Sequence, residues 1–220
     1  MLFNSSVFFV FFIIVYGLYR ALKHRWQNRM LLVASYVFYG WWNWRFLFLM
    51  LASTVLDYYC CLGIHGSTKV RERKFYLFLS IFVNLGFLCY FKYFNFFISS
   101  LGMALGYLGL TIHPMALHII LPLGISFYTF QTLSYTIDVY RRQLAPTRNF
   151  VDFALFVSFS PQLFAGPIER AVHLLPQIAL PRNVTPEKLG RGCYLIFWGL
   201  FQKMFVADNP ALMRDRLCPT

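Results

Sequence analysis

The segment from Leu155 to Arg170, LFVSFSPQLFAGPIER, starts as a membrane helix would and then breaks. Pro161 interrupts the apolar run, Gln162 adds an amide, Gly166 and Pro167 break it again, and Glu169 and Arg170 close it. In lipid every exposed backbone N–H and C=O must find a partner, so broken backbone at membrane depth is tolerated only where protein or a polar cavity surrounds it. The segment therefore has to be enclosed by the rest of its own fold.

The setting for that break is a membrane. Hydrophobic residues make up 59% of the 220-residue chain and charged residues 13%, against about 25% charge in soluble domains. Mean hydropathy is +0.56. The net charge of +12 does not point to nucleic acid, because the basic residues gather in short loops between apolar runs, as the positive-inside pattern requires. Cys60, Cys61, Cys89, Cys193 and Cys218 show no disulfide or metal spacing. The glycosylation triplets at Asn4 and Asn183 read as chance occurrences.

A span needs about 20 apolar helical residues. The first runs from Phe3 to Tyr19, is a permanent span rather than a cleaved signal, and has its N-terminus outside the cytoplasm, since Arg20, Lys23 and Arg25 follow it. The second covers about Met30–Trp44 and the third about Phe46–Ile64, joined by an aromatic turn, Trp41 to Arg45, at the outer surface. Phe75–Leu101 reads as one long helix of about 40 Å, tilted or projecting near Lys92. Two short spans divided at Lys92 would place the basic run Asp138–Arg148 outside, whereas one helix places it inside. Met103–Ala116 is then an outer connection, Leu117–Ile137 a return span, and Gly192–Asp208 a last span. On this arrangement the stretches Arg20–Arg29, Lys69–Lys74, Arg141–Arg148 and Arg170–Arg191 are all internal and hold fifteen of the 20 basic residues. The last two flank Asp152–Ile168, so that segment enters from the cytoplasm and turns back. Pro176, Pro181 and Pro186 prevent one continuous helix from Arg170 to Arg191. The fold expected is an all-α integral membrane protein, a bundle of about six spans plus a re-entrant broken segment.

Few residues could carry chemistry. Asp57, inside the third span, reads as a helix-packing acid bonded to an arginine or hydroxyl; an intramembrane acid is otherwise a functional candidate. Pro122 and Gly124, with Ser126, Tyr128, Thr129 and Gln131, mark either a helix lining a polar cavity or a kinked helix packed through small residues. His113, His118 and His173 read as surface or interface residues. The residue types supply no nucleophile motif, phosphate loop or metal set.

SFSPQLFAGPIER resembles the signature of the membrane-bound O-acyltransferases, in particular the bacterial alginate O-acetyltransferase branch. SYVFYGWWNWRFLFLMLASTVLDY, FVNLGFLCYFKYFNFF, ILPLGISFYTFQTLSYTIDVYRR and GLFQKMFVADNPA agree with it, covering the chain to about Ala211. The resemblance implies part of a ring of about eleven spans around a tunnel. Through it acetyl groups pass toward an exported polysaccharide such as alginate, with acetyl-CoA or another acyl donor as substrate and no bound cofactor. It implies a bacterial inner-membrane location, extracytoplasmic acetyltransferase partners and a catalytic histidine. That histidine is expected beyond Thr220, so no catalytic residue is assigned here. Residues 1–211 then correspond to the N-terminal half of the domain and 212–220 to an atypical tail, and the chain alone is expected to be inactive. Gln162, Pro161, Ser126, Tyr128 and Gln131 are the candidates for lining the substrate path. The alternatives are a non-catalytic remnant, half of a split enzyme, or a transporter, which would also use broken helices but would be expected to show a second, inverted repeat.

Overall fold

In the computed structural model the described residues are 5–41, 43–107, 124–166, 169–182 and 184–207. Among them every regular element is helical. In order these are α1 (Ser6–Ala21), α2 (His24–Gly40), α3 (Arg45–Gly66), α4 (Val70–Leu88), α5 (Phe94–Tyr107), α6 (Ile125–Tyr140), α7 (Phe150–Ser158), α8 (Ser160–Ala165), α9 (Ala171–Ala179) and α10 (Pro186–Phe201). α3 and the helical stretch Val70–Tyr93 are long and apolar enough to cross a membrane, while α1 is a shorter apolar helix.

Helix ends differ from the sequence expectation where local caps win. α2 begins at His24 rather than Met30 and ends at Gly40 rather than Trp44. Arg25 and Arg29 belong to its first turns, because long basic side chains at a helix end can reach water while their stems stay apolar. Asn43 Oδ1 accepts from the Arg45 N–H at 3.1 Å, which closes the turn and starts α3. Trp41 and Trp44 on this turn are exposed. α10 begins at Pro186 rather than Gly192: proline suits the first helical turn, and the Thr185 hydroxyl accepts from the Lys188 N–H. Arg170–Arg191 is not one continuous helix, as expected: α9 ends at Ala179 and α10 begins at Pro186, although Pro176 itself lies inside α9. Leu117–Leu123, including Pro122, and Asp208 lie outside the described residues.

The stretch Val70–Tyr107 is one helical path. α4 passes through a π-helical turn, Cys89–Tyr93, into α5. Lys92 sits on that turn, where a wider helix changes its facing. The other end of α4 gives a geometric check on the reading as one helix. The Arg73 guanidinium donates to the Tyr140 carbonyl and lies 5.1 Å over its ring. The start of α4 and the end of α6 therefore share one end of the bundle, as the charge pattern required.

α3, α4 and α6 pack around a buried polar knot. Ser80 Oγ donates to Asp57 Oδ1 at 2.6 Å, and Asn84 Nδ2 donates to Oδ1 and Oδ2 of Asp57 at 2.8 and 3.0 Å. Ser80 also lies 3.4 Å from the Thr136 hydroxyl, which accepts from Cys61 Sγ at 3.5 Å. Asp57 is fully buried. It is the hydroxyl-bonded packing acid the sequence suggested, with an amide added. Gly63 lets α3 and α4 approach: a Cβ there would lie 2.9 Å from the Tyr76 ring.

Asp57→Ala would leave Ser80 and Asn84 without their shared acceptor. It is expected to destabilise the protein by about 1–3 kcal/mol, read as a lower midpoint of thermal unfolding in detergent, with Asp57→Asn losing less.

Candidate functional site

The break follows from Pro161. It has no N–H to donate, and its ring would clash with the carbonyl four residues back. Phe159 takes an extended backbone (φ −58°, ψ 102°) and separates α7 from α8. An unbroken helix would join the Ser160 N–H to the Phe156 carbonyl. Two side chains replace that bond. Gln131 Nε2, from α6, donates to the Phe156 carbonyl at 2.8 Å. The Ser160 N–H donates to Ser35 Oγ, from α2, at 3.4 Å. Ser158 Oγ turns back to the Ala154 carbonyl at 2.7 Å, a bond that favours bending at a helix end.

α7 is the most enclosed helix of the bundle: every residue from Asp152 to Ser158 is buried. Its rings pack on α6 and α3, with Tyr135 and Phe153 centroids 5.0 Å apart and Tyr58 and Phe153 5.9 Å apart. With nine residues it rises only about 14 Å, under half of a bilayer core of about 30 Å. The chain then turns and comes back. At the base of this excursion, Asn28 Nδ2 donates to Asp152 Oδ1 at 2.8 Å and to the Ile178 carbonyl at 2.9 Å, tying the start of α7 to the end of α9. Asn149 Nδ2 donates to the other Asp152 oxygen at 2.8 Å, and Arg182 Nη2 donates to Asn28 Oδ1 at 2.7 Å. Entry and exit thus share one end of the bundle. The Tyr58 hydroxyl donates to the Arg148 carbonyl at 2.6 Å, securing the loop that leads in.

The five path candidates occupy different settings. Pro161 lines a groove of about 650 Å³ between α1, α2 and the stretch from α7 to Lys188. Gln162, half-buried, accepts from the Gly166 N–H through its carbonyl at 3.0 Å, the bond that ends α8. Gln131 is buried and holds the Phe156 carbonyl. Tyr128 is buried, and its hydroxyl has no hydrogen-bond partner among the described residues. Ser126 lies 3.4 Å from Lys92 Nζ. The structure brings Gln131 and the break together; it does not gather all five around one cavity. Gly124, at φ +75°, starts α6 in a left-handed conformation against Leu163 of α8, so the α6 start and the break are in contact. His173 is exposed, while His113 and His118 lie outside the described residues. Among the described residues no cluster of His, Cys, Asp or Glu could hold a metal. The partners that sequence reasoning missed are Ser35, Asn28 and Arg182.

What this geometry defines is an all-helical protein with two helices able to cross a membrane and a broken segment that enters and leaves at one end of the bundle. Comparison with known proteins supplies relatives for it. The chain is 43% identical over 98% of its length to a Pseudomonas aeruginosa protein, "Probable alginate O-acetylase AlgI". It is likewise 43% identical over 98% of its length to the Azotobacter vinelandii protein of that name. A Helicobacter pylori peptidoglycan O-acetyltransferase is 33% identical over 84% of the chain. The chain spans 41%, 43% and 39% of these relatives' own lengths. No family model matches, and no solved structure does. Over 98% of its length the chain is thus similar to part of the alginate O-acetylases, which are O-acetyltransferases like the membrane-bound O-acyltransferases.

Gln131→Leu would leave the Phe156 carbonyl buried without a donor, for an expected loss of about 1–3 kcal/mol. Ser35→Ala, which removes the longer bond, is expected to lose less. A double-mutant cycle on thermal midpoints checks both, and coupling between the two sites is expected because they replace one backbone bond.

Proposed function

We propose that the protein containing this chain transfers acetyl groups to hydroxyls of an exported polysaccharide. The observation that carries this reading is the 43% identity to alginate O-acetylases over nearly the whole chain. The peptidoglycan relative, at 33%, makes alginate or a related polymer the preferred acceptor.

In this reading the protein is a multi-pass protein of the bacterial inner membrane, with about six spans from this chain. The end carrying Asn28, Arg73, Arg148 and Arg182 faces the cytoplasm, by the positive-inside pattern. Residues 1–211 form one part of the domain, and α7–α9 enter from the side where an acyl donor such as acetyl-CoA arrives. No residue of this chain is assigned the proton transfers of the reaction; its part is to build and hold one wall of the acyl path. Gln162, at the depth where the chain turns, is the preferred polar group of that wall. Extracytoplasmic acetyltransferases are the expected partners for the final transfer.

The test is replacement. Residues 1–211 are substituted for the matching region of the P. aeruginosa protein, and O-acetyl groups on the secreted polymer are measured. Acetylation above that of a deletion strain is expected; a chimera that accumulates in the membrane without acetylation would contradict the reading. Gln162→Ala in the same chimera is expected to lower acetylation about fivefold, the rate equivalent of one hydrogen bond of about 1 kcal/mol. Unchanged acetyl content would remove Gln162 from the path.

A further inference from the structure

The groove beside the break has two unlike ends. Its shaft is apolar, built from Phe8, Phe12 and Val15 of α1, Leu31 of α2, Leu155 of α7 and Leu174 of α9. From Phe8 to Tyr19 it follows α1 for about 16 Å. At the Tyr19 end the wall carries Arg182, and Lys188 also lines the groove. Arg182 is fixed there: its Nε donates to the Gln177 carbonyl at 2.8 Å, Nη2 donates to Asn28 Oδ1 at 2.7 Å, and the guanidinium lies 5.9 Å from the Tyr19 ring centre. Lys188 is exposed. Arg20, Lys23 and Arg25 are adjacent in sequence to this end of α1 and α2. The nearby carboxylate of Asp152 is already held by Asn28 and Asn149.

We propose that this groove holds one phospholipid with an anionic headgroup, its phosphate at Arg182 and Lys188 and an acyl chain along α1. The charge supports this occupant, because basic pockets between membrane helices on the cytoplasmic side suit anionic headgroups. The shaft supports it too. A soluble anion such as a coenzyme thioester carries a polar arm that needs several hydrogen-bond partners, whereas beyond the Tyr16, Ser35 and Ser160 hydroxyls the shaft is walled by apolar side chains. An acyl chain needs none. α1 forms one wall of the groove, and Ile13 and Ile14, which do not line it, are exposed, an apolar surface suited to bilayer lipid. Because Phe159, Ser160 and Pro161 line the groove, a bound chain would pack directly on the break and supply apolar contact where the helix is interrupted.

The full-length protein is purified from membranes in mild detergent, and its retained lipids are measured by native mass spectrometry and by extraction. Anionic phospholipid is expected to be retained above its share of the bulk membrane. Lys188→Gln is expected to reduce that retention about fivefold, the value of one cation at an anionic headgroup, and the groove-filling Ala34→Phe is expected to reduce it as well. Adding phosphatidylglycerol should raise the thermal midpoint of the original protein more than adding phosphatidylcholine does. Retained lipid of bulk composition would overturn the proposal. So would equal retention by Lys188→Gln, a change at an exposed position, even if Ala34→Phe fails to assemble. Release of the lipid by millimolar coenzyme A would overturn it as well and assign the groove to the acyl donor. Lipid retention is independent of acetyl transfer, so the outcome does not depend on the proposed activity.

Discussion

The structure turns on the interruption of the helical hydrogen-bond ladder at Pro161. Pro161 ends α7, and the Ser160 N–H and Phe156 carbonyl that would have paired are satisfied by Ser35 and Gln131 instead. Each replacement comes from a different helix, so the interruption ties α2 and α6 to the broken segment. An unpartnered polar group in such surroundings would cost about 1–3 kcal/mol. The break therefore also acts as a junction. It explains why α7 is buried along nearly its whole length although it is too short to span.

Two further polar clusters hold the elements that surround this junction. The Asp57 knot fastens α3, α4 and α6, which sets the face on which Gln131 is presented. The Asn28 cluster fastens α2, α7 and α9 at the base, where the chain enters and leaves. Between them, Arg73 on the Tyr140 carbonyl and Tyr58 on the Arg148 carbonyl bring the basic stretches to one end. The positive charge of the chain is thus arranged by packing as well as by topology.

Much of this was legible in the sequence, for local reasons. Pro161 and Gly166 announce the break through backbone chemistry alone, and loop charge chose one long helix over two before Arg73 gave the geometric witness. Asp57 read as a packing acid because an intramembrane carboxylate needs partners wherever it sits. The partners themselves were not legible. Ser35 meets Ser160 across 125 residues of chain, Asn28 meets Asp152 across 124, and Arg182 meets Asn28 across 154. Nothing local distinguishes these three from other small or basic residues. Gln131 was singled out by its polarity, with a cavity and a packed interface equally open; the structure gives it a carbonyl to hold. Helix starts at His24 and Pro186 were missed because hydropathy reports where lipid begins, whereas caps and basic side chains let a helix begin earlier.

The likeness to the O-acetylases gives the junction its proposed purpose, a broken-helix wall beside the route of an acetyl group. That role requires the segment to enter and return at one face of the membrane. The direct measurement is side-specific labelling of single cysteines at Arg148→Cys and Glu187→Cys, in the full-length protein with its native cysteines replaced, using an impermeant maleimide on right-side-out and inverted vesicles. The account predicts that both positions label from the same side, the cytoplasmic one. Labelling from opposite sides would mean that the segment crosses the membrane, and would contradict it.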